Sequence, residues 1–374
     1  MPAQPPSGPR RGIRGWRNRL IASRRFQSWA SRFPLTRGIA RQEGEALFDL
    51  VAGFVHSQVL QAIVELRILH ILRDHAQTAQ QIAARASLPA DRAEILLRAA
   101  VALGLIKHRR GRYRLARRGA ALLGVPGLEA MIAHHDVLYR DLADPAAFFR
   151  GETDPELARF WPYVFGADGA RDPQIAERYS TLMADSQVLI AEETLRTVSL
   201  SGVRHLLDIG GGTGVFLAAA ARAYPALSGT LFDLPAVTPG AKDTFADAGC
   251  ADRITIHPGS FRDDPLPAGA DAISLVRVLY DHADETVAAL LAAAYAALPP
   301  GGRVIISEPM LGCGRPERAG DVYFAIYTAA MGTGKARSAE THARLLANAG
   351  FSAIRAPRTH RPFVTSVVTA QKPG

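Results

Sequence analysis

A glycine-rich turn directly after an apolar run constrains this chain of 374 residues more than any other feature. Residues 203–209 are mostly apolar and predict a buried parallel strand, and residues 215–223 predict a helix. Between them stand Gly210, Gly212 and Gly214. A turn without side chains lets the backbone approach a ligand closely, and the amides at the start of the next helix favour a carboxylate or a phosphate. The stretch therefore predicts a nucleoside-binding site in an α/β domain.

The spacing of these glycines fits a dinucleotide site poorly. Such a site requires the pattern G-x-G-x-x-G, whereas the pattern from Asp208 onward is D-x-G-x-G-x-G. The next predicted strand, residues 228–233, ends in Asp233, and an acid there can accept hydrogen bonds from both ribose hydroxyls. NAD sites use the same device, so Asp233 alone does not discriminate. A plain glycine loop beside a helix-capping aspartate is the alternative, which the agreement of turn, strand order and acid disfavours.

The net charge of +9 is concentrated at the N-terminus. Residues 1–42 contain ten arginines, no lysine and no acid, and Glu43 is the first carboxylate. The stretch also carries aromatic residues such as Trp16, Trp29 and Phe33, so contact with an anionic membrane surface is one interpretation. A disordered or domain-packing basic extension is the other. Both stay open, and nucleic acid is not expected as a partner.

Cysteine content and hydropathy indicate a cytoplasmic protein without a metal site. Cys250 and Cys313 cannot form a disulfide framework, and their spacing suits no zinc site. The most apolar stretch, residues 46–72, is interrupted by Asp49 and five further polar or charged residues, so no membrane-spanning segment is predicted. The run His-His-Asp at residues 134–136 does not predict a metal site, because neighbours in a helix do not face one another.

A winged-helix pattern follows the arginine-rich stretch. Apolar residues at helical spacing predict one helix over residues 45–72. Residues 78–106 predict three short helices with Thr78 and Asp91 as caps, and a basic hairpin turning at residues 110–111 comes next. Such a fold either binds DNA or serves as a dimerisation scaffold. The glycine-rich turn downstream favours dimerisation.

The remainder of the chain changes from helices to alternating strands and helices. Residues 124–200 predict mostly helix, and their aromatic residues, including those at 160–165, are suited to roof an apolar pocket. Strands are expected at residues 203–209, 228–233, 252–257, 271–278, 302–308, 351–356 and 363–370. The last two lie too close for a parallel crossover and predict an antiparallel hairpin. The expected fold is an α/β doubly wound sheet closed by that hairpin.

Five segments resemble the class II O-methyltransferases of plants and bacteria, which use S-adenosylmethionine. They read LLDIGGGTG, LFDLPAV, ITIHPGSF, LVRVLYDHADE and GGRVIISEPML. The resemblance covers about residues 45–372. It implies the class I methyltransferase arrangement, a Rossmann-like sheet, preceded by a winged-helix domain that mediates homodimerisation and helps to close the partner's active site.

Two stretches, residues 23–60 and 259–282, further resemble the carotenoid O-methyltransferases of purple phototrophic bacteria. These enzymes methylate the tertiary C-1 hydroxyl group of an acyclic carotenoid on the way to spheroidene or spirilloxanthin. Because such a polyene is dissolved in a membrane, the basic arm would hold a cytoplasmic enzyme peripherally at the inner or photosynthetic membrane. One alternative substrate is another apolar hydroxylated metabolite, such as an aromatic polyketide. A different class of alternative is a winged-helix regulator that senses S-adenosylmethionine.

The resemblance carries cofactor roles onto particular residues. Asp208, Gly210, Gly212 and Gly214 match the family's first motif and are expected to surround the methionine part of S-adenosylmethionine, while Asp233 matches the acid that binds its ribose.

Three further residues complete the expected binding site. Ser260 stands where the family has an aspartate beside the adenine, so its contact there should be weaker because it carries no charge. Phe261 keeps the apolar side of the adenine slot. Met183 matches a methionine that lines the pocket near the substrate and the methyl group.

The catalytic residues of the family are only partly present. Tyr280 occupies the position of the catalytic histidine, and His282 follows two residues later. Glu308 matches the first supporting acid, whereas Ala336 stands in place of the second. We predict Tyr280, His282 and Glu308 as catalytic residues, with a solvent-facing histidine at the start of a helix as the alternative for His282.

The sequence predicts four parts. They are a basic N-terminal extension at residues 1–41, a winged-helix-like dimerisation domain at 42–123, a helical linker that contributes to the substrate pocket at 124–200 and an S-adenosylmethionine-binding domain at 201–374.

Overall fold

The computed structural model describes residues 13–160 and 173–374. The chain divides into two units, residues 1–117 and residues 118–374. Residues 1–12 of the predicted basic extension and the aromatic residues at 161–165 lie outside the described residues.

In the first unit, helices precede a short antiparallel hairpin. The helices are α1 (Ile13–Ile21), α2 (Arg24–Ala30), α3 (Arg37–Glu65), α4 (Ile68–Ile71), α5 (Ala79–Arg85) and α6 (Ala90–Ala102), and the hairpin strands are β1 (Ile106–Arg109) and β2 (Arg112–Leu115). Arg110 and Gly111 connect the strands with φ angles of 51° and 72°. Positive φ at both central residues matches the right-handed twist of the flanking strands, which explains the predicted turn at this position.

The long apolar helix differs from its prediction at both ends. α3 begins at Arg37 rather than near residue 45, and it ends at Glu65 because Arg67 adopts a left-handed φ of 53°. The apolar residues after Arg67 therefore form a separate turn of helix, α4. Several large apolar side chains of α3 are more than 60% exposed, namely Leu47, Phe48, Leu50, Val51 and Phe54. By length and composition alone α3 could cross a membrane, contrary to the expectation from its interrupting polar residues.

Residues 78–106 hold two helices instead of the three expected. The Thr78 side chain accepts a hydrogen bond from the Gln81 amide at 3.3 Å, and the Gln81 side chain accepts one from the Thr78 amide at 2.9 Å. This capping box starts α5 where predicted. α6 begins directly after Pro89, so Asp91 lies in its first turn and does not cap it. Proline has no amide hydrogen to lose at a helix start, which explains where this boundary lies.

The second unit alternates helices with the strands of one sheet. The helices, of which the first starts at the unit boundary, are α7 (Arg117–Leu123), α8 (Leu128–Asp141), α9 (Pro145–Arg150), α10 (Glu156–Phe160), α11 (Pro173–Thr197), α12 (Val215–Ala223), α13 (Ala241–Asp247), α14 (Asp284–Ala297), α15 (Ala325–Ala330) and α16 (Ala339–Asn348). The strands are β3 (His205–Ile209), β4 (Ser228–Asp233), β5 (Ile254–Pro258), β6 (Ala272–Val276), β7 (Arg303–Glu308), β8 (Ser352–Arg355) and β9 (Ser366–Gln371). A π-helical segment, Arg318–Phe324, leads into α15.

The sheet order is β5-β4-β3-β6-β7-β9-β8. Strands β3 to β7 run parallel, and β9 is antiparallel to both β7 and β8. The predicted doubly wound sheet with an antiparallel C-terminal hairpin is confirmed. Because the chain leaves β3 towards β4 and β5 and later returns to β6, the strand order reverses beside β3. Open α/β sheets bind ligands at the carboxyl ends of the strands at such a point.

β3 is covered on both faces. Leu207 and Ile209 lie in one apolar cluster with Leu290 of α14, while Leu206 lies in a second cluster with Phe216 of α12. Side chains alternate between the two faces of a strand, so one mostly apolar run supplies both clusters. Burial of each of these side chains contributes roughly 1.5–3 kcal/mol. The turn after β3 therefore stands on a rigid base.

Replacing Gly214 with alanine tests how closely this turn is packed. The added Cβ would collide with the ring of Phe245, and φ at Gly214 is +81°. Gly202→Ala is the matched control, because φ is +80° there and no atom lies within 4 Å of the added Cβ. We expect the control to lower the free energy of unfolding by about 1–2 kcal/mol and Gly214→Ala to lower it by about 1–3 kcal/mol more, as measured by urea denaturation. Equal losses would mean that contact with Phe245 is unimportant.

Candidate active site

The chain turns at the end of β3 on three glycines. Gly210, Gly212 and Gly214 have φ angles of 66°, 63° and 81°, which glycine adopts without steric cost. The Gly210 amide donates to the carbonyl of Phe232 at 2.8 Å, and an added Cβ on Gly210 would lie only 2.8 Å from Cγ2 of Val278. The turn is thus drawn tightly between the neighbouring strands. An added Cβ on Gly212 would meet nothing within 4 Å, so the turn is open at this residue.

Asp233, at the end of β4, is fixed by the turn. Its carboxylate accepts hydrogen bonds from the amides of Gly212 and Leu234, each at 2.7 Å. Burial raises the pKa of Asp233 to about 6, against the opposing effect of the two amide donors. The carboxylate is therefore ionised at neutral pH and held in one orientation.

Asp208 lies beneath the turn. Its Oδ1 accepts a hydrogen bond from the Ser274 hydroxyl at 2.6 Å, and its Oδ2 has no hydrogen-bond partner among the described residues. Burial raises the pKa of Asp208 to about 7. A Cβ on Gly211 would collide with this carboxyl group, so glycine is required above it. Asp208 supports the turn and does not face the cleft that the turn borders.

That cleft encloses about 1040 Å³, part of it open to solvent, at the carboxyl ends of the parallel strands. The residues singled out from sequence that line it are Met183, Gly210, Gly212, Asp233, Ser260, Phe261 and His282. Those that do not line it are Asp208, Gly214, Tyr280 and Glu308. Segments far apart in sequence meet here because parallel strands bring their carboxyl ends to one edge.

Ser260 and Phe261 form one wall of the cleft. The Ser260 hydroxyl donates to the Asp263 carboxylate at 2.8 Å and accepts from the Arg262 amide at 3.3 Å, so it closes a local turn. The ring of Phe261 meets that of His282 edge-on, with centroids 5.2 Å apart. Phe261 supplies the apolar surface expected beside an adenine, whereas the hydroxyl proton of Ser260 is already used.

A second, smaller cavity of about 350 Å³ has a largely aromatic and thioether lining. Its lining residues are Met131, Met183, Arg277, Tyr280, Asp281, Tyr323, Phe324, Tyr327 and Met331. The Tyr323 hydroxyl lies 2.7 Å from Nε2 of His135, and the Tyr327 hydroxyl lies 3.0 Å from Nε2 of His134. The two histidines thus hold the hydroxyl groups of the tyrosines in place.

No group of three or more potential metal ligands occurs within residues 13–160 and 173–374.

Met183, Arg277 and Asp281 line both cavities, so they mark the junction between them. Arg277 adopts a left-handed φ of 59°, and its guanidinium donates to the Ser186 hydroxyl at 2.8 Å and lies 3.5 Å from the Met183 sulfur. Asp281 Oδ1 is buried and has no hydrogen-bond partner among the described residues. Burial raises the pKa of Asp281 well above its usual value, although Arg277 opposes this. A buried carboxyl oxygen without a partner costs free energy unless a ligand satisfies it.

Tyr280 lines the aromatic cavity. Its hydroxyl accepts a hydrogen bond from Nε of Arg277 at 3.4 Å, and burial raises the pKa of the phenol, which is therefore neutral. Its amide donates to Oε2 of Glu308 at 3.1 Å. Glu308 Oε1 lies 3.0 Å from Nε2 of His342, and both side chains are fully buried. Glu308 thus holds the backbone of Tyr280 and reaches neither cavity.

His282 is only 7% exposed, which excludes the solvent-facing alternative. Burial, followed by the charges of Arg262 and Arg337, lowers the pKa of His282 to about 4, so the ring is neutral. Arg262 Nη2 lies 3.1 Å from its Nδ1 and can donate to it. His282 lines the larger cleft and not the aromatic cavity.

Arg337 was not predicted from the sequence and organises this segment. It is 1% exposed and donates to the carbonyls of Leu279 and His282, both at 2.8 Å, and to Oδ1 of Asp284 at 2.7 Å. These bonds fix the loop that carries Tyr280, Asp281 and His282. No sequence pattern marks an arginine as buried, and Arg337 directly follows Ala336, where the family has its second acid.

The cleft suits S-adenosylmethionine. The oriented carboxylate of Asp233 could accept the ribose hydroxyls, Gly212 leaves room above it, and the ring of Phe261 could pack against the adenine. The junction residues Arg277 and Asp281 then connect this cleft with the apolar cavity. A nucleoside in one cavity and an apolar acceptor in the other would meet beside Asp281.

Comparisons with known proteins agree with this geometry. Residues 139–352 match the family model of the O-methyltransferase domain, and residues 48–124 match that of the O-methyltransferase dimerisation domain. The chain is 60% identical to demethylspheroidene O-methyltransferase of Cereibacter sphaeroides, over 95% of this chain and 94% of that protein. It is 54% identical to demethylspheroidene O-methyltransferase of Rhodobacter capsulatus, over 100% of this chain and 93% of that protein. The fold is similar to the crystal structure of human N-acetylserotonin methyltransferase in complex with SAM, with a TM-score of 0.77 and 26% sequence identity. The aligned region covers 89% of this chain and 98% of that protein.

The raised pKa of Asp233 leads to a pH-dependent affinity for S-adenosylmethionine. The ionised carboxylate is the better acceptor for ribose hydroxyls, so the affinity should rise as the pH increases through about 6 and fall below it. We expect Asp233→Asn to lower the affinity about 10- to 100-fold at pH 7.5, since hydrogen bonds to a charged group are worth about 1.5–3 kcal/mol each.

Calorimetric titration with S-adenosylmethionine at several pH values measures this effect. Asp247→Asn is the matched control, because this carboxylate is exposed and does not line the cleft. A step near pH 6 that persists in Asp233→Asn would assign the titration to another group.

Proposed function

This chain belongs to the S-adenosylmethionine-dependent O-methyltransferase family, and we propose that it methylates the tertiary C-1 hydroxyl group of an acyclic carotenoid. The observation that carries the proposal is the 60% identity with a demethylspheroidene O-methyltransferase across nearly the whole of both chains. A relative that acts on an aromatic hydroxylated molecule is only 33% identical to this chain. The alternative substrate, an aromatic polyketide, is therefore not favoured. The regulator interpretation is not favoured either.

The proposed cofactor contacts follow from the cleft. Gly210 and Gly212 would lie against the methionine part, and Asp233 would accept the ribose hydroxyls. Asp208 and Gly214 would act on the shape of the turn, since neither lines the cleft.

The adenine slot would lie beside Phe261. Ser260 would contribute mainly through the turn that it closes, because its hydroxyl donates to Asp263.

The aromatic cavity is the proposed site for the hydroxylated end of the substrate. Its tyrosines and methionines present an apolar surface, and Met183 lies where this cavity joins the cleft. Methionine side chains adapt to irregular apolar shapes, which suits a long hydrocarbon. The hydroxyl group would be the one polar part of the bound segment, and Arg277 and the ionisable Asp281 are the groups in the lining that could contact it.

We assign proton removal to Asp281. When bound, S-adenosylmethionine supplies an electrophilic methyl group to the substrate oxygen. A tertiary alcohol is a very weak acid, so its proton must be accepted as the new bond forms. Asp281 lines both cavities, and its buried Oδ1 has no hydrogen-bond partner among the described residues. Its raised pKa makes the ionised form a stronger base than an ordinary aspartate.

The three catalytic residues predicted from sequence would then have supporting roles. Tyr280, as a neutral phenol in the aromatic cavity, would orient the substrate hydroxyl group. His282 is a weak base at its lowered pKa of about 4 and would shape the cofactor side. Glu308 would position the Tyr280–His282 segment through the Tyr280 amide.

The proposed roles follow the four parts predicted from the sequence. Residues 42–123 would form the dimerisation domain, which agrees with the matched dimerisation model over residues 48–124. Residues 124–200 would contribute to the substrate pocket, and residues 201–374 would bind the cofactor. The family fold agrees with a cytoplasmic enzyme, and we propose that residues 1–41 hold it peripherally at the membrane in which its substrate is dissolved.

Asp281→Asn tests the proton acceptor. We expect kcat to fall by roughly 10²–10⁴-fold with little change in the Kd for S-adenosylmethionine. In the unmodified protein kcat should rise with pH until the carboxyl group is fully ionised, and this rise should be absent in Asp281→Asn. Tyr280→Phe and His282→Ala are the comparison variants. A larger loss of kcat in either of them than in Asp281→Asn would assign proton removal to that residue.

The substrate class is tested by transfer of a radiolabelled methyl group from S-adenosylmethionine. We expect label in 1-hydroxy acyclic carotenoids dispersed in detergent micelles and none in aromatic phenols assayed in parallel. Label in the phenols alone would keep the methyltransferase activity and remove the carotenoid assignment. The carotenoid lacking the C-1 hydroxyl group is the control for the site of methylation.

A further inference from the structure

The N-terminal arm contains a shallow groove formed by α2 and the residues that follow it. Its lining residues are Arg24, Arg25, Ser28, Trp29, Arg32, Phe33 and Pro34. The groove belongs to the first unit and lies outside the matched dimerisation model, which begins at residue 48. It is also no part of either cavity of the proposed active site.

The charge of this groove is uncompensated. Arg24, Arg25 and Arg32 are exposed, and the structure gives them no carboxylate partner within the described residues. The chain has no acid before Glu43, and the ion pair between Arg41 and Glu45 is remote in sequence from the groove. Guanidinium groups bind phosphate oxygens through two parallel hydrogen bonds, so three of them around one groove favour a phosphate-bearing ligand.

Aromatic and aliphatic side chains stand beside these charges. Trp29 is 51% exposed and stacks on Phe33, with ring centroids 4.8 Å apart and planes inclined by 16°. Leu35, two residues after Phe33, is 81% exposed, and Ile39 is 63% exposed. Exposed tryptophan next to arginine is typical of surfaces that lie at the boundary between phospholipid headgroups and acyl chains. Free phosphate or a nucleotide would leave the aliphatic side chains in water.

We infer that this groove, called here the α2 groove, binds the headgroup phosphates of anionic phospholipids and places Trp29, Phe33 and Leu35 in the lipid interface. The inference rests on the proposed function, because the groove would hold the enzyme at the membrane that contains its apolar substrate. It specifies which part of the N-terminal arm contacts the membrane and by which chemistry. The guanidinium groups bind the lipid phosphates, and the apolar side chains lie among the acyl chains at the interface.

Co-sedimentation of the full chain with vesicles tests this inference. The vesicles contain equal parts phosphatidylglycerol and phosphatidylcholine, and pure phosphatidylcholine vesicles serve as the uncharged comparison. In the test variant Arg24, Arg25 and Arg32 are replaced by glutamine. In the matched control Arg109, Arg110 and Arg114, which are exposed on the β1–β2 hairpin of the same unit, are replaced by glutamine. Both variants therefore lose the same positive charge.

We expect the full chain to bind the anionic vesicles, and the groove variant to bind them about 100-fold more weakly, since each basic side chain near such a surface contributes roughly a fivefold factor. The hairpin control should bind nearly as well as the unmodified chain. Equal loss in both variants would show that only net charge matters and would overturn the site. Displacement by millimolar inorganic phosphate, or binding to duplex DNA without binding to vesicles, would assign the groove to a different ligand.

Quenching of tryptophan fluorescence by brominated lipids tests the aromatic part. Trp29→Phe should remove much of the quenching while Trp16→Phe should retain it, and the reverse result would place a different segment in the lipid.

The micelle assay for methyl transfer separates this inference from the proposed function. The groove variant should methylate carotenoid in detergent micelles at the normal rate. Absence of methyl transfer in the unmodified chain, with vesicle binding intact, would remove the proposed substrate but not the groove.

Discussion

The hydrogen bond from the Gly212 amide to the Asp233 carboxylate joins the ends of two neighbouring strands, and the cleft depends on it. It can form only because the glycines after β3 adopt positive φ angles and bring the backbone close to β4. Asp208 supports the same turn from the core side, where a side chain on Gly211 would collide with it. One short stretch thus determines both the shape of the cleft and the orientation of its main acceptor.

A second constraint fixes the loop after β6. Glu308 holds the Tyr280 amide, and Arg337 holds the carbonyls on either side of the Tyr280–His282 segment. In this braced loop the carboxyl group of Asp281 reaches the junction of the two cavities, while His282 turns towards Phe261. The loop is therefore held by Glu308, the one supporting acid that the resemblance predicts here, and by Arg337, which no motif predicted. Because the loop is fixed, Asp281 is held beside Tyr280 and can accept the proton in its place, as proposed.

The first unit shows where local patterns succeed and where they fail. The capping box at Thr78 and the turn at Arg110 were predictable because they depend on residues three or fewer positions apart. The end of α3 was not, since apolar spacing continues past Arg67 and nothing local in the sequence announces its left-handed φ. The arginine-rich arm was predictable as a charge, but only the folded α2 segment shows that three arginines and two aromatic rings share one groove.

The sequence by itself determined the doubly wound sheet, its antiparallel hairpin, the glycine-rich turn and Asp233, because each depends on spacing within one strand, turn or helix. It also determined the family, through motifs that stand close together in the chain. Only the tertiary structure decided which residues face the cleft. Asp208 and Glu308 stand at positions where the resemblance predicts site residues, yet both lie in the core. Arg277 and Asp281, which no motif marked, line both cavities. The reason is that burial and orientation arise when distant segments meet, and the buried Arg337 and the orphaned oxygen of Asp281 acquire their roles only from those contacts.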